Sequence, residues 1–161
     1  MRNNKNPMQD LRRPLGIYVH VPFCRSKCEY CDFYSLGGGM NRESMDLYLQ
    51  AVLAHIRESA QRVVGYEVDT VYFGGGTPSF FGHQGLIRIL TEIDRRFRLS
   101  KDAEITLEAN PDSVNAQSLE KLRRAGFNRI SIGVQTDDDA QLKALGRPHT
   151  YTQAQQAVSL A

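Results

Sequence analysis

Three cysteines, the only ones among 161 residues, stand within a run of eight as Cys24-Arg25-Ser26-Lys27-Cys28-Glu29-Tyr30-Cys31. Thiolates at these spacings can hold a metal centre from a single loop. A structural zinc takes a fourth protein ligand and closes its tetrahedron. A [4Fe–4S] cluster held by three Cys instead leaves one iron open to a substrate or cofactor, and that iron is where chemistry is expected. The zinc reading would borrow His20 or His149, and buried inert thiols are the blander reading still. His20 lies on a strand-like run, where an internal hydrogen bond is its expected role. An odd cysteine count argues against a disulfide framework and predicts a reducing compartment.

Further along, Gly74-Gly75-Gly76-Thr77-Pro78 follows an apolar run. No Lys-Ser or Lys-Thr follows the glycines and G-x-G-x-x-G is absent, so this is neither a phosphate loop nor a dinucleotide fingerprint. A tight strand-to-helix turn is the bland reading. As a binding loop, its carbonyls could accept from an ammonium group and its N–H groups could hold a carboxylate. Glu108, Gln135 and Arg147 could each be a solvated surface residue, and Arg147 could pair with Asp137, Asp138 or Asp139. Glu108 stands at the end of a strand-like run beside the glycine loop, which favours a ligand contact. The three aspartates read as the acidic start of a helix, and Gly37-Gly38-Gly39 as a flexible link.

The elements that position these residues alternate in kind. Leu15 to Val21 is a short β-type run. From an Asn41 cap, Met45, Tyr48, Leu49, Val52, Ile56, Ala60 and Val63 form a helical stripe. Val68 to Phe73 is a second β run, followed by helical spacing at Leu86, Ile87, Leu90, Ile93 and Phe97. Ile105, Leu107 and Ala109 alternate as a strand does. Asn115 then caps a helix bearing Leu119, Leu122 and Ala125, with Gly126 at its end. Arg129 to Val134 is a fourth strand pattern, and Asp138 onward turns helical. Four β-then-α units predict a parallel sheet, in either an open doubly wound fold or a (β/α) barrel. In both, ligands gather at the carboxyl ends of the strands. Those ends carry the cysteine loop, the glycine loop, Glu108 and Gln135.

The net charge of +2, from 20 basic and 18 acidic residues, gives no bulk electrostatic case for nucleic acid or an anionic membrane. No run approaches the length of a bilayer span, and residues 1–14 lack a signal-peptide core. The expectation is a cytoplasmic protein with a loose leader over residues 1–14 and one domain over 15–161.

Cys-x3-Cys-x2-Cys with an aromatic before the last Cys resembles the signature of radical S-adenosylmethionine (SAM) enzymes. The strings Tyr18-Val19-His20-Val21-Pro22-Phe23-Cys24, Gly74 to Ser79, Glu108 to Pro111, Ile130 to Gln135 and Leu145 to His149 narrow the likeness. They are similar to the anaerobic coproporphyrinogen III oxidase-like family, and to its heme-chaperone branch. The resemblance implies a partial (β/α)6 barrel, a TIM-like α/β fold, with Cys24, Cys28 and Cys31 as ligands of a [4Fe–4S] cluster. Tyr18, Gly75 and Glu108 would contact the SAM bound there. Tyr30, Gly76, Thr77, Gln135 and Arg147 match positions that contact a second SAM in the family's oxidase.

The implied function is a heme chaperone that binds heme and delivers it to a hemoprotein acceptor. Its rivals are an oxygen-independent coproporphyrinogen III dehydrogenase, which converts propionates to vinyl groups, and a zinc module without catalysis. Two departures bear on this. The family's oxidases carry a further Cys where this chain has Phe33, and the usual Ser-Phe after the fourth-strand Gln is here Thr136-Asp137. Family members are also longer, with six βα units and a C-terminal domain. The sequence is therefore expected to be a fragment of about four units, with an unprotected fourth strand and an incomplete SAM pocket.

Overall fold

A computed structural model describes residues 13–38 and 41–161. Most of the expected leader lies outside the described residues, and its last two positions, Arg13 and Pro14, belong to the first strand. Strand β1 (Arg13–Val21) leads into a two-residue bridge, β2 (Phe23–Cys24) with β3 (Leu36–Gly37). Helix α1 (Arg42–Ala60) follows, then β4 (Tyr66–Gly75), the short α2 (Pro78–Phe81) and α3 (His83–Arg96). Next come β5 (Leu99–Ala109), a single 3-10 turn (Pro111–Ser113), α4 (Ala116–Arg124) and β6 (Arg129–Ile132). Helices α5 (Asp139–Ala144) and α6 (Tyr151–Leu160) complete the described chain. None of these helices is long and apolar enough to cross a membrane.

The main sheet has the order β1-β4-β5-β6, and every pair in it is parallel. Parallel pairing needs a crossover between successive strands, and α1, α3 and α4 supply it. The caps expected at Asn41 and Asn115 are present, and Asp138 supplies a further one. Asn41 accepts from the Ser44 amide, Asn115 forms a reciprocal capping box with Ser118, and Asp138 accepts from the amides of Ala140 and Gln141. The aspartate run therefore starts α5, as its bland reading had it. Gly126, at φ 112°, ends the α4 segment in the left-handed region that glycine tolerates.

Residue alternation divides the sheet into two faces. Val19, Val21, Val71, Phe73, Ile105 and Leu107 enter one apolar core with Leu49, Leu53 and Ile56 of α1, Leu86, Ile89 and Ile93 of α3, and Leu122 of α4. Each large side chain so buried contributes roughly 1.5–3 kcal/mol, which fixes the crossovers to this face. The intervening residues, Tyr18, His20, Tyr72, Thr106 and Glu108, are polar or amphipathic and turn the other way. A doubly wound fold would cover both faces with helices. Here the three crossover helices share one face, so the architecture is the partial barrel.

Candidate cofactor site

The cysteine loop leaves β1 at the carboxyl rim and is tied down along its length. Cys24 sits in the β2–β3 bridge opposite Gly37. A Cβ on Gly37 would lie 3.1 Å from the Lys27 nitrogen, so this glycine is a close-approach point in the site rather than part of a loose link. His20 Nε2 donates to the Tyr34 carbonyl at 2.9 Å, which binds the segment after Cys31 back to β1. Its Nδ1 then accepts from the Tyr18 hydroxyl at 3.2 Å. The Cys31 amide donates to the Cys28 carbonyl at 3.1 Å, closing a turn between those two thiols. Arg25 pairs with Asp112 of the 3-10 turn at 3.2 Å.

The glycine loop is shaped by its neighbours. A Cβ at Gly74 would come within 2.8 Å of Tyr72 Cε1 and 3.0 Å of Glu108 Oε2. At Gly75, with φ 114°, it would meet the His20 ring at 2.7 Å, and at Gly76 it would meet Cys24 Sγ at 3.0 Å. The three glycines thus admit the carboxylate, the histidine and the first thiol in turn. The N–H groups of Gly75, Gly76 and Thr77 are already used. Gly75 donates to Glu108 Oε2 at 3.2 Å, Gly76 to the Val21 carbonyl at 2.8 Å and Thr77 to the Phe23 carbonyl at 2.7 Å. The Gly75 amide thus holds a carboxylate of the chain's own, while those of Gly76 and Thr77 brace the loop. Carbonyl acceptance remains the backbone contact the loop can offer a ligand.

Glu108 accepts from the Tyr72 hydroxyl at 2.6 Å through Oε1 and from Gly75 through Oε2. That hydrogen bond, with some burial, pushes the Tyr72 phenol up to about 12. Burial chiefly, and then the nearby Glu108 charge, raises Tyr18 as well. Arg147 Nη2 donates to Asn110 Oδ1 and to the Gly133 carbonyl, each at 2.7 Å. Its Nη1 lies 3.6 Å from Cys28 Sγ and 3.4 Å from the Tyr30 hydroxyl. Gln135 is the one non-glycine residue at positive φ among the described residues, at 77°, a strained backbone of the kind that clusters at functional sites.

These groups enclose a cavity of about 250 Å³. Cys24, Cys28, Cys31, Tyr30, Gly75 and Gly76 line it, as do Thr77, Glu108, Gln135 and Arg147. Of the residues expected to hold a cluster or contact SAM, Tyr18 stands apart, outside the lining and 58% exposed. Its ring stacks on Tyr72, with centroids 6.1 Å apart. Asn110 lines the same cavity, and Tyr72 and Asp112 support it from behind. Sequence reading gave none of the three a role, although Asn110 stands in the Glu108 to Pro111 string. The available signal was position: Tyr72 shares the Glu108 face of the sheet, and Asn110 and Asp112 immediately follow β5.

The donor set fits an iron–sulfur cluster. All three thiols are free and half-buried, and they face one cavity beside a glycine that makes room for Cys24. Among the described residues, no three His, Cys, Asp or Glu side chains are gathered around a point that could hold a single metal ion. Neither histidine considered as a fourth zinc ligand lines the cavity. Both ring nitrogens of His20 are engaged, and His149 is buried with Nε2 3.2 Å from the Val134 carbonyl. Burial holds His149 below the usual histidine range.

Residues 18–161 match the family model of the radical SAM superfamily. The chain is 41% identical over 150 residues to the heme chaperone HemW of Escherichia coli strain K12, covering 92% of this chain and 39% of that protein. With the HemW of Haemophilus influenzae the identity is 38% over 154 residues, again across 39% of the relative. Among solved structures, it superposes on the coproporphyrinogen III oxidase HemN from Escherichia coli, described as a radical SAM enzyme. The TM-score is 0.87 at 30% identity, covering 93% of this chain and 34% of that one. The chain therefore spans about two fifths of the length of the curated relatives it matches.

Proposed function

The chain belongs to the radical SAM superfamily, and from that membership we propose that Cys24, Cys28 and Cys31 hold a [4Fe–4S] cluster with SAM beside it. We propose further that the whole protein is a cytoplasmic heme chaperone, binding heme and passing it to a hemoprotein. The observation that carries the site reading is the convergence of three free thiols, Glu108 and Gly75 on one cavity at the strand ends. The relatives named as heme chaperones support the rest. When bound, a cluster of this kind supplies one-electron chemistry to SAM.

The chain's own residues bind and orient. Tyr72 and Gly75 fix the Glu108 carboxylate, and each of its oxygens keeps a further lone pair. Glu108 can therefore accept from the SAM ammonium without losing its own supports. Tyr18 backs this wall through its stack on Tyr72. Tyr30, Gly76, Thr77, Gln135 and Arg147 form the adjoining wall, the proposed place of a second SAM.

One observation favours the oxidase rival: the close superposition on coproporphyrinogen III oxidase. Against it stands Phe33, which lines the cavity where the family's oxidases carry a Cys. The test is anaerobic reconstitution with iron and sulfide, followed by electron paramagnetic resonance of the reduced sample with and without SAM, and a heme titration followed by visible absorption. A reduced-cluster signal that shifts on adding SAM, with saturable heme binding, is the expected result. Bound zinc with no iron cluster would overturn the site reading. Consumption of coproporphyrinogen in an anaerobic assay would replace the chaperone with the oxidase.

A further inference from the structure

We infer that Leu145-Gly146-Arg147 is a clasp on the cysteine loop, with Arg147 as a positioning residue for Cys28 rather than solely part of a ligand wall. The inference rests on the proposal that Cys28 is a cluster ligand. The guanidinium has two short, firm hydrogen bonds, to Asn110 Oδ1 and the Gly133 carbonyl, both at 2.7 Å. These anchor it to the ends of β5 and β6. From that anchor its other terminal nitrogen reaches across 119 positions of sequence to Cys28 Sγ, and to the Tyr30 hydroxyl. A planar fork with donors in fixed directions can bridge four groups in this way, whereas an ammonium is a single point charge.

The backbone makes the same contact independently. The Glu29 amide donates to the Leu145 carbonyl at 3.3 Å. Gly146 takes φ 71°, and a Cβ there would rest 3.6 Å from Cys28 Cα. The cysteine loop is thus held at its far end by a segment from the last described βα unit, while Arg25 and His20 hold its other parts. Two consequences follow for the centre. Without the clasp the loop opens locally more often. A cation beside a ligand sulfur also favours the more negative, reduced cluster, so Arg147 raises its reduction potential.

The test compares this chain with Arg147→Gln and Arg147→Lys. In apo protein, amide hydrogen exchange over residues 24–31 should become about tenfold faster or more in Arg147→Gln, with β4 and β5 unchanged. In reconstituted protein the midpoint potential should fall in Arg147→Gln and return toward the parent value in Arg147→Lys, while loop exchange in Arg147→Lys stays fast. Unchanged exchange and an unchanged midpoint, with only the response to SAM lost, would overturn the clasp and return Arg147 to the ligand wall. If Arg147→Gln also speeds exchange in β4 and β5, Arg147→Lys decides: loop exchange at the parent rate overturns the clasp, and faster loop exchange alone supports it. A parent chain that takes up no cluster would sink the cluster reading, and the exchange data from apo protein would still decide the clasp.

Discussion

Two cavities among the described residues differ in origin as much as in content. The larger, about 540 Å³, is lined mainly by α4 and the stretch into β6, with Leu119, Leu122, Phe127 and Ile130 among its walls. The smaller, about 250 Å³, takes residues from the ends of β4 and β5, the loop after β6, the cysteine loop after β1, and Arg147. The first comes mostly from one contiguous segment, holds no thiol, and its carboxylate, Glu120, pairs with Arg124 one turn along the same helix. The second assembles three thiols, a braced carboxylate, a strained glutamine and a guanidinium. Volume alone would choose the wrong one. The carboxyl ends of parallel strands gather chemistry because successive crossovers return every strand in the same direction.

The comparison can be broken most severely at the cysteines. Cys28→Ser should abolish cluster retention, seen as iron and sulfide content near background after reconstitution, with the thermal transition little changed. Retained cluster would show that the smaller cavity is not the metal centre. The converse substitution is Leu122→Ala, in the core beside the larger cavity, where Leu122 is 3% exposed. It should cost about 2–5 kcal/mol in denaturant unfolding, while iron per folded molecule stays at the parent value. Reduced iron per folded molecule would couple the two regions.

Gly76→Ala sharpens the contrast from within the smaller site. Its methyl would meet the Phe23 carbonyl at 2.8 Å and Cys24 Sγ at 3.0 Å. A loss of about 1–3 kcal/mol is expected, with slower cluster assembly measured by absorption. Gly126→Ala is the control, since its strain is local to the α4 terminus and should leave assembly unchanged.

The smallest effect is a pH dependence in the helical layer. Arg57 and Arg96 donate to Glu92 at 2.7 and 2.9 Å and hold its carboxyl below the usual carboxylate range. The folded state therefore binds this proton less readily than the unfolded state. Its stabilisation is complete above the ordinary carboxylate value and is lost as pH falls through the lowered folded one. Glu92→Gln should flatten the acid limb of an unfolding-versus-pH curve without touching cluster content. An identical acid limb in the variant would remove Glu92 from the account.

Much of this was legible in the sequence because it is local. The cysteine spacing, the four βα units, the caps at Asn41 and Asn115 and the aspartate start of α5 all arise within a few residues, where period and side-chain chemistry suffice. The strand boundaries were less legible, since the ladder extends β4 to Tyr66 and Gly75 beyond the apolar run of Val68 to Phe73. Gly37 read as a linker because its partner, Cys24, is thirteen positions away, and the pairing is set by loop closure rather than composition.

The sequence by itself determined the donor set, the alternation of strand and helix, and the family resemblance, since those are properties of residue type and spacing. The tertiary structure alone decided which face the helices cover, that Tyr72 and Gly75 brace Glu108, and that Arg147 reaches Cys28. Each of these depends on sheet register and on packing between units far apart in the chain. A residue's own type and its near neighbours carry no record of that geometry.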